Sequence, residues 1–169
     1  LEVNSDVARM TLAYSYLNKA EYENALEVAE DLINNTTATI LPNNEVLTNG
    51  FNDVASKNWI WGQNVTVENT TSLASFFGQC DIYSYSYASA GDVKGIDANL
   101  LTSITDKGWD IREHWWGNYY AATEEKMYQY APDGKFFSAT STELQGDRDW
   151  LSDNVFMRIE TAYLIAAEA

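Results

Sequence analysis

The 169-residue sequence has one cysteine and one histidine, Cys80 and His114. A single cysteine cannot form an internal disulfide, and these two residues are too few for a structural zinc site. Basic residues are also scarce, ten against twenty-five acidic ones, which gives a net charge of −15. This charge argues against a nucleic-acid partner and against docking on an anionic membrane surface. A neutral carbohydrate stays compatible with it, and a cation such as calcium is favoured.

Long apolar runs and an N-terminal leader are absent as well. No run of about 18 apolar residues occurs, so the sequence predicts no membrane-spanning helix. The chain starts at Leu1, without a methionine and without a signal-like apolar stretch. We therefore expect that the chain either was processed at this end or begins inside a longer protein.

Aromatic residues are abundant, with six Trp and eleven Tyr. Their flat rings stack on the C–H faces of sugars, but large hydrophobic cores use the same residues. The hydrophobic content of 46% is enough for one core, so a single domain is the natural expectation.

The two ends of the chain predict helices. Residues 6–33 predict an antiparallel helix pair around a tight turn at residues 18–21, because apolar residues recur at helical spacing on both sides of that turn. Residues 154–169 predict a further helix, capped by Asp153 or Asn154. The first helix has two apolar stripes, which predicts packing on two sides. These stripes are Val7, Met10, Tyr14 and Leu17, and Ala8, Leu12 and Tyr16; the last helix has the stripe Phe156, Ile159, Tyr163 and Ala166.

Residues 34–153 form an irregular, aromatic-rich insertion between these ends. Extended segments are predicted at residues 59–61 and 82–87. A short helix is predicted from 97 to 104 with Asp97 as its N-cap, and another from 115 to 130.

The first and last helices share a short sequence pattern. Arg9 to Tyr14 and Arg158 to Tyr163 both have Arg, an apolar residue and then Ala-Tyr at the same offsets, which indicates two copies of one repeat unit. Ala13, Tyr16 and Ala25 fit the tetratricopeptide pattern, in which small residues let two helices approach closely. The second copy ends after its first helix, so we expect a partial domain.

Three segments then resemble one known family. Residues 156–169 resemble the SusD/RagB signature, in which a strand-like lead-in meets Arg158 and is followed by an apolar and acidic helix that ends in Leu-Ile-x-Ala-Glu-Ala. Residues 56–61, and residues 97–101 followed by Asp110-Ile111-Arg112, are similar to two other family segments in type and order. The resemblance implies a mainly α fold, an alpha-alpha superhelix of tetratricopeptide-like helix pairs with a loop-rich, aromatic-rich insertion, of which residues 1–169 form a part.

The resemblance also implies a function. Proteins of this kind are non-catalytic and sit on the extracellular face of a Gram-negative outer membrane, held by a lipid anchor of the full-length parent. They deliver oligosaccharides, or in some members peptides, to a SusC-like TonB-dependent transporter. It implies no cofactor and carries over no ligand-binding residues, because those residues vary within the family.

Candidate ligand-binding residues therefore come from the aromatics of the insertion. Alternation predicts that Tyr83, Tyr85 and Tyr87 share one face of a strand, as a stacking platform. Trp115 and Trp116 are adjacent, so at most one of them is expected to be exposed. The alternative is that all these rings simply cover the helical scaffold. The rings considered are Trp59, Trp61, Tyr83, Tyr85, Tyr87, Trp109, Trp115, Trp116 and Trp150; the selected candidates are Trp61, Tyr83, Tyr85, Tyr87, Trp115, Trp116 and Trp150.

Asp147, Asp149 and Asp153 are the candidate metal ligands. An oxygen-rich loop of this kind is compatible with a structural calcium ion, although the EF-hand spacing is absent. A solvated acidic loop, or a helix cap from Asp153, is the simpler interpretation. In the same way, Arg112 beside Asp110 and Arg158 beside Glu160 are interpreted as ion pairs of the scaffold.

Two other function classes stay open. A tetratricopeptide adaptor that binds peptides would have further uninterrupted repeats. A helical glycoside hydrolase would need a carboxylate pair at an aromatic cleft, from Asp147 with Asp149 or Glu124 with Glu125. A thiol nucleophile would need Cys80 beside His114 and a third group to orient them.

Overall fold

The structure, a computed structural model, describes residues 3–47, 51–70, 75–81, 86–116, 132, 135–136 and 151–169. Within these ranges the chain is mostly helical, as predicted, with one small sheet of two strands. The elements in chain order are α1 Ser5–Asn18, α2 Tyr22–Asn35, α3 Asn43–Val46, β1 Trp59–Gln63, α4 Phe76–Cys80, α5 Ala98–Thr105, a 3-10 helix Ile111–Trp115, β2 Asn154–Arg158 and α6 Ile159–Glu168. None of the described helices is both long enough and apolar enough to cross a bilayer.

The chain divides into two units. The first unit consists of residues 1–42, 53–64 and 153–169, and the second unit of residues 43–52 and 65–152.

Helices α1 and α2 form the predicted pair in the first unit. Asn4 caps α1, since its side chain accepts hydrogen bonds from the backbone N–H groups of Asp6 and Val7, both at 3.0 Å. The turn between the helices passes through Ala20, whose φ of 58° allows the tight reversal. Three small side chains are fully buried where the helices meet, which lets the two backbones approach closely; they are Ala13, Ala25 and Ala29. The tetratricopeptide-like assignment stays a prediction.

Helix α1 is buried along one stripe. Val7, Met10 and Ala13 face the core that α1 forms with α2 and α6. Each predicted stripe is confirmed only in part. Ala8 and Leu12 of the second stripe and Tyr14 of the first are exposed, whereas Tyr16 and Leu17 pack against the core. Helix α1 contacts α2, α6 and β1.

The segment 154–158 is a strand, and the prediction of a helix from residue 154 is wrong. It pairs antiparallel with β1, with Trp59 opposite Arg158 and Gln63 opposite Asn154. The backbone hydrogen bonds of this pairing involve residues about 95 positions apart, so local propensity cannot reveal them. Asp153 caps no helix; its carboxylate accepts a hydrogen bond from the backbone N–H of Val54 at 2.8 Å.

Helix α6 begins one residue after β2. Its buried face consists of Ile159, Ala162 and Ile165, whereas Tyr163 of the predicted face is exposed. Phe156 of the predicted face lies on β2 and is exposed as well, because helical periodicity starts only at residue 159.

The buried side chain of Asn58 joins the start of β1 to α6. Its amide nitrogen donates to Glu160 Oε1 at 2.9 Å, and its amide oxygen accepts from the Ser56 hydroxyl at 2.8 Å. Its backbone carbonyl accepts from the N–H of Ile159 at 2.9 Å. Arg158 Nη1 lies 3.7 Å from Glu160 Oε2, which confirms the predicted ion pair.

In the second unit, α5 confirms the predicted short helix. Asp97 is its N-cap and accepts from the N–H groups of Asn99 and Leu100 at 2.9 and 3.1 Å. Helix α5 packs on the 3-10 helix Ile111–Trp115 that follows. The predicted strand at 82–87 is wrong at its end, since Ser86 and Tyr87 lie in a turn, while residues 82–85 lie outside the described residues.

The helix predicted from 115 to 130 is wrong at its start. Trp115 ends the 3-10 helix, and Trp116 is extended and pairs with Pro132 in an isolated antiparallel bridge. Residues 117–130 lie outside the described residues.

Candidate functional site

Four aromatic rings of the second unit surround the ammonium group of Lys135. Its Nζ lies 4.8 Å from the ring centroid of Phe51, 5.4 Å from that of Trp115, 5.7 Å from that of Trp116 and 5.1 Å from that of Phe136. We call these four rings the Lys135 cluster. Contacts of a cation with ring faces are attractive, so the cluster is organised around the chain's own lysine.

The Lys135 cluster is a packed interior. Phe51 meets Trp115 edge to face at 5.3 Å and Phe136 at 6.2 Å. Trp115 is only 6% exposed, and Trp116 is partly buried. Two of the sequence-predicted ligand residues are therefore engaged in packing, and their role in ligand binding stays a prediction.

Trp61 belongs to the first unit. It lies on β1, is partly buried against the core, and packs on the ring of Phe156 with a centroid separation of 5.1 Å. Tyr87, Trp115 and Trp116 belong to the second unit instead.

The remaining aromatic candidates are Tyr83, Tyr85, Tyr87 and Trp150, of which only Tyr87 lies within the described residues. Tyr87 is 53% exposed in a turn closed by the hydrogen bond from the Asp92 N–H to the Tyr87 carbonyl at 3.0 Å. Tyr83, Tyr85 and Trp150 lie outside the described residues, so the shared-face prediction for the three tyrosines stays a prediction.

Trp109 is the most exposed large apolar side chain of the described residues, at 75%. It lies between α5 and the 3-10 helix, in the second unit. An indole that is this open to water presents a broad flat apolar surface that a ligand can contact.

The backbone on both sides of Trp109 is anchored. On the N-terminal side, the Gly108 N–H donates to the carbonyl of Thr105 at 3.1 Å, and the φ of Gly108 is +63°, a conformation that glycine adopts at little cost. On the C-terminal side, the buried carboxylate of Asp110 accepts from Arg112 Nε at 2.8 Å and Nη2 at 2.5 Å. These hydrogen bonds fix the position of the backbone that carries the exposed ring.

Charge around Trp109 is set by three neighbours. The Lys107 Nζ lies 5.5 Å from the centroid of its ring. The hydrogen bonds from Arg112 are the main cause that lowers the pKa of Asp110 to about 2, so this carboxylate is ionised at neutral pH. The ion pair predicted between Arg112 and Asp110 is confirmed.

Trp109 was among the aromatic residues considered in the sequence but not among those selected. Ring exposure depends on which neighbours the fold brings close, and no periodicity carries that information. The sequence signal that indicates its exposure is its position after Gly108, beyond the end of a predicted helix, where a surface turn is expected.

The acidic candidates do not assemble a metal site within the described residues. No group of three or more His, Cys, Asp or Glu side chains there is arranged to hold a metal ion. Asp153 is engaged with the backbone of Val54, and Asp147 and Asp149 lie outside the described residues. A structural calcium at this loop stays a prediction.

Cys80 lacks the properties of a nucleophile. It is buried on α4, and its thiol lies 3.6 Å from the carbonyl of Phe76. Burial is the main cause that raises the pKa of this thiol to about 12, so it stays protonated at neutral pH. His114 is exposed, and its Nε2 lies 3.7 Å from Glu113 Oε1.

Comparisons with known proteins agree with the sequence resemblance at the level of the fold. No protein-family model matches the chain, and no curated protein matches its sequence. Two solved structures match nearly all of it. A SusD superfamily protein from Bacteroides thetaiotaomicron is 20% identical with a TM-score of 0.71, and the match covers 98% of this chain and 36% of that one.

The second structure is a SusD-like carbohydrate-binding protein from Bacteroides vulgatus. It is 20% identical with a TM-score of 0.63, and the match covers 99% of this chain and 33% of that one. The chain thus spans about a third of the length of these two proteins. The fold of this chain is therefore that of the corresponding part of a SusD superfamily protein.

Proposed function

We propose that this chain belongs to a non-catalytic protein that binds oligosaccharides at the outer face of a bacterial outer membrane and delivers them to a SusC-like TonB-dependent transporter. The observation that carries the binding role is the exposed ring of Trp109, on a backbone segment held by hydrogen bonds on both sides. The fold shared with a SusD-like carbohydrate-binding protein supports the same role. A lipid anchor on the full-length parent belongs to the proposal as well.

The chemistry of Trp109 suits a sugar. The C–H groups on one face of a pyranose pack on an indole, which buries apolar area without removing the sugar hydroxyls from water. The partial positive charge of these C–H groups favours the electron-rich ring face, as a cation does.

Binding without catalysis is consistent with the described acidic groups. The carboxylate near Trp109 is Asp110, and its low pKa leaves it without a proton to donate to a leaving group. It also forms an ion pair with Arg112, which disfavours its protonation and therefore a role as a general base.

The test is a glycan panel on the full chain, read by tryptophan fluorescence and by calorimetry. We expect Trp109→Ala to weaken binding of the best glycan about tenfold, the equivalent of about 1.4 kcal/mol. Tyr163→Ala is the matched control, because it removes an exposed ring from α6 in the first unit. The control variant should bind as the parent chain does.

Two results would contradict the proposal. One is a chain that binds no polysaccharide of the panel, in which case binding of a peptide panel would favour the adaptor function. The other is release of new reducing ends from a bound polysaccharide, which would show hydrolysis. If Trp109→Ala binds the glycan with unchanged affinity, the chain still binds sugars but Trp109 is not part of the binding site.

A further inference from the structure

Several basic side chains of the described residues form ion pairs, whereas Lys19 and Lys107 form none there. Arg9 is paired with Asp6 and Asp31, Lys94 with Asp92 and Arg112 with Asp110. Lys107 forms no ion pair within the described part of the chain, although its positive charge helps to lower the pKa of Asp110. Its ammonium group lies over the exposed ring of Trp109 instead.

This pairing is notable in a chain with a net charge of −15. Carboxylates outnumber basic groups by more than two to one, so most exposed lysines would be expected to have an acidic neighbour within reach. An exposed ammonium beside an exposed indole combines a stacking surface with a positive charge that no ion pair of the described residues engages. Those are the two groups that a sugar with a negatively charged substituent needs.

We propose that Trp109 and Lys107 form a subsite for an acidic sugar residue, in which the indole stacks on the sugar ring and the ammonium binds its anionic substituent. This inference rests on the proposed function and specifies its ligand class. The lysine stem is flexible and exposed, so Nζ can exchange its contact with the ring face for a charge-assisted hydrogen bond to a carboxylate at the sugar's edge.

Net charge limits which acidic glycans fit. A dense polyanion would be repelled by the rest of the chain, and that repulsion acts over about 8 Å at physiological ionic strength. A single anionic sugar within a short or otherwise neutral glycan meets Lys107 at contact distance and avoids most of the repulsion. The subsite therefore favours sparsely charged ligands.

The experiment compares a short galacturonate oligosaccharide that carries one free carboxylate with its fully methyl-esterified counterpart. The two ligands have the same ring faces and differ in one charge. We expect the full chain to bind the acidic ligand about fivefold more tightly at low salt, a size typical of an exposed ion pair. A third ligand, with a sulfate ester in place of the carboxylate, distinguishes the two sources of negative charge.

Lys107→Met removes the ammonium and keeps most of the stem. It should abolish the preference for the acidic ligand and leave binding of the methyl ester unchanged. Lys94→Met, which removes another exposed lysine, should retain the preference. Unfolding curves of both variants should match that of the parent chain, because both side chains are exposed.

The outcomes separate this inference from the proposed function. If the chain binds both ligands equally and Trp109→Ala weakens both, the acidic subsite is refuted while sugar binding stands. If Lys107→Met keeps the preference, another group selects the charge and the inference is also refuted. If neither these ligands nor any other glycan binds, the proposed function itself fails.

Discussion

At the scale of single residues, the ion pair of Asp110 and Arg112 supports the segment that presents Trp109. The carboxylate is 7% exposed and also accepts the Arg112 N–H, so it caps the 3-10 helix as well as binding the guanidinium. Loss of its charge would remove all of these contacts together.

The stability of this arrangement should depend on pH. The pKa of Asp110 is about 2 in the folded chain, below its ordinary value of 3.8. A lowered folded pKa stabilises the fold above the ordinary value, and the contribution is lost as pH falls through the folded value. We therefore expect the melting temperature to fall between about pH 4 and pH 2 more steeply in the parent chain than in Asp110→Asn.

Thermal unfolding followed by circular dichroism at a series of pH values measures this difference. Asp92→Asn is the matched control, since it removes one carboxylate from an exposed ion pair in the same unit. If the melting temperatures of the parent chain and Asp110→Asn fall in parallel as the pH is lowered, Asp110 does not stabilise the fold through its charge.

At the scale of elements, the two-stranded sheet depends on close approach of β1 and β2 at Gly62. A Cβ at this position would lie 2.6 Å from two ring carbons of Trp59 and 2.8 Å from the backbone oxygen of Asn154. The register is also irregular here, with shifts on both sides of Trp61. The absence of a side chain is what permits the pairing.

Gly62→Ala should therefore destabilise the fold by about 1–3 kcal/mol, because the new methyl group must displace the Trp59 ring or the partner strand. Urea unfolding provides the measurement. Gly108→Asn is the control: nothing lies within 4 Å of its Cβ position, and asparagine tolerates the φ of +63° better than most residues. A control as destabilised as Gly62→Ala would show that crowding is not the cause.

The same sheet explains where helix prediction failed. Local signals correctly indicated α1, α2 and α5, each of which has periodic apolar residues or a capping side chain within one turn. Residues 154–158 instead take their conformation from β1. Asn58 reinforces that choice, because its backbone and side chain both bond to the first turn of α6.

At the scale of the whole molecule, the core of the first unit combines segments from both ends of the chain. Leu32 is fully buried there, together with Met10 of α1 and Ile159 of α6. The unit therefore needs residues more than 120 positions apart, and no short segment of it buries its own apolar face.

Leu32→Ala should lower the free energy of unfolding by about 2–5 kcal/mol, because it leaves a cavity between the helices. Leu12→Ala makes the same change at the exposed face of α1 and should cost less than about 0.5 kcal/mol. Chemical unfolding of both variants tests the assignment of buried and exposed faces. Similar losses would mean that Leu12 is buried in solution.

The sequence by itself determined the mainly helical class, the α1–α2 pair, the Asp97 cap and the resemblance to SusD/RagB proteins. Each of these rests on residues within a few turns of one another or on a contiguous motif. Only the tertiary structure decided that the strand spans residues 154–158 and pairs with β1, that Trp115 is buried and that Trp109 is exposed. These outcomes depend on which distant segments cover a given side chain, and burial of that kind is a property of the assembled fold.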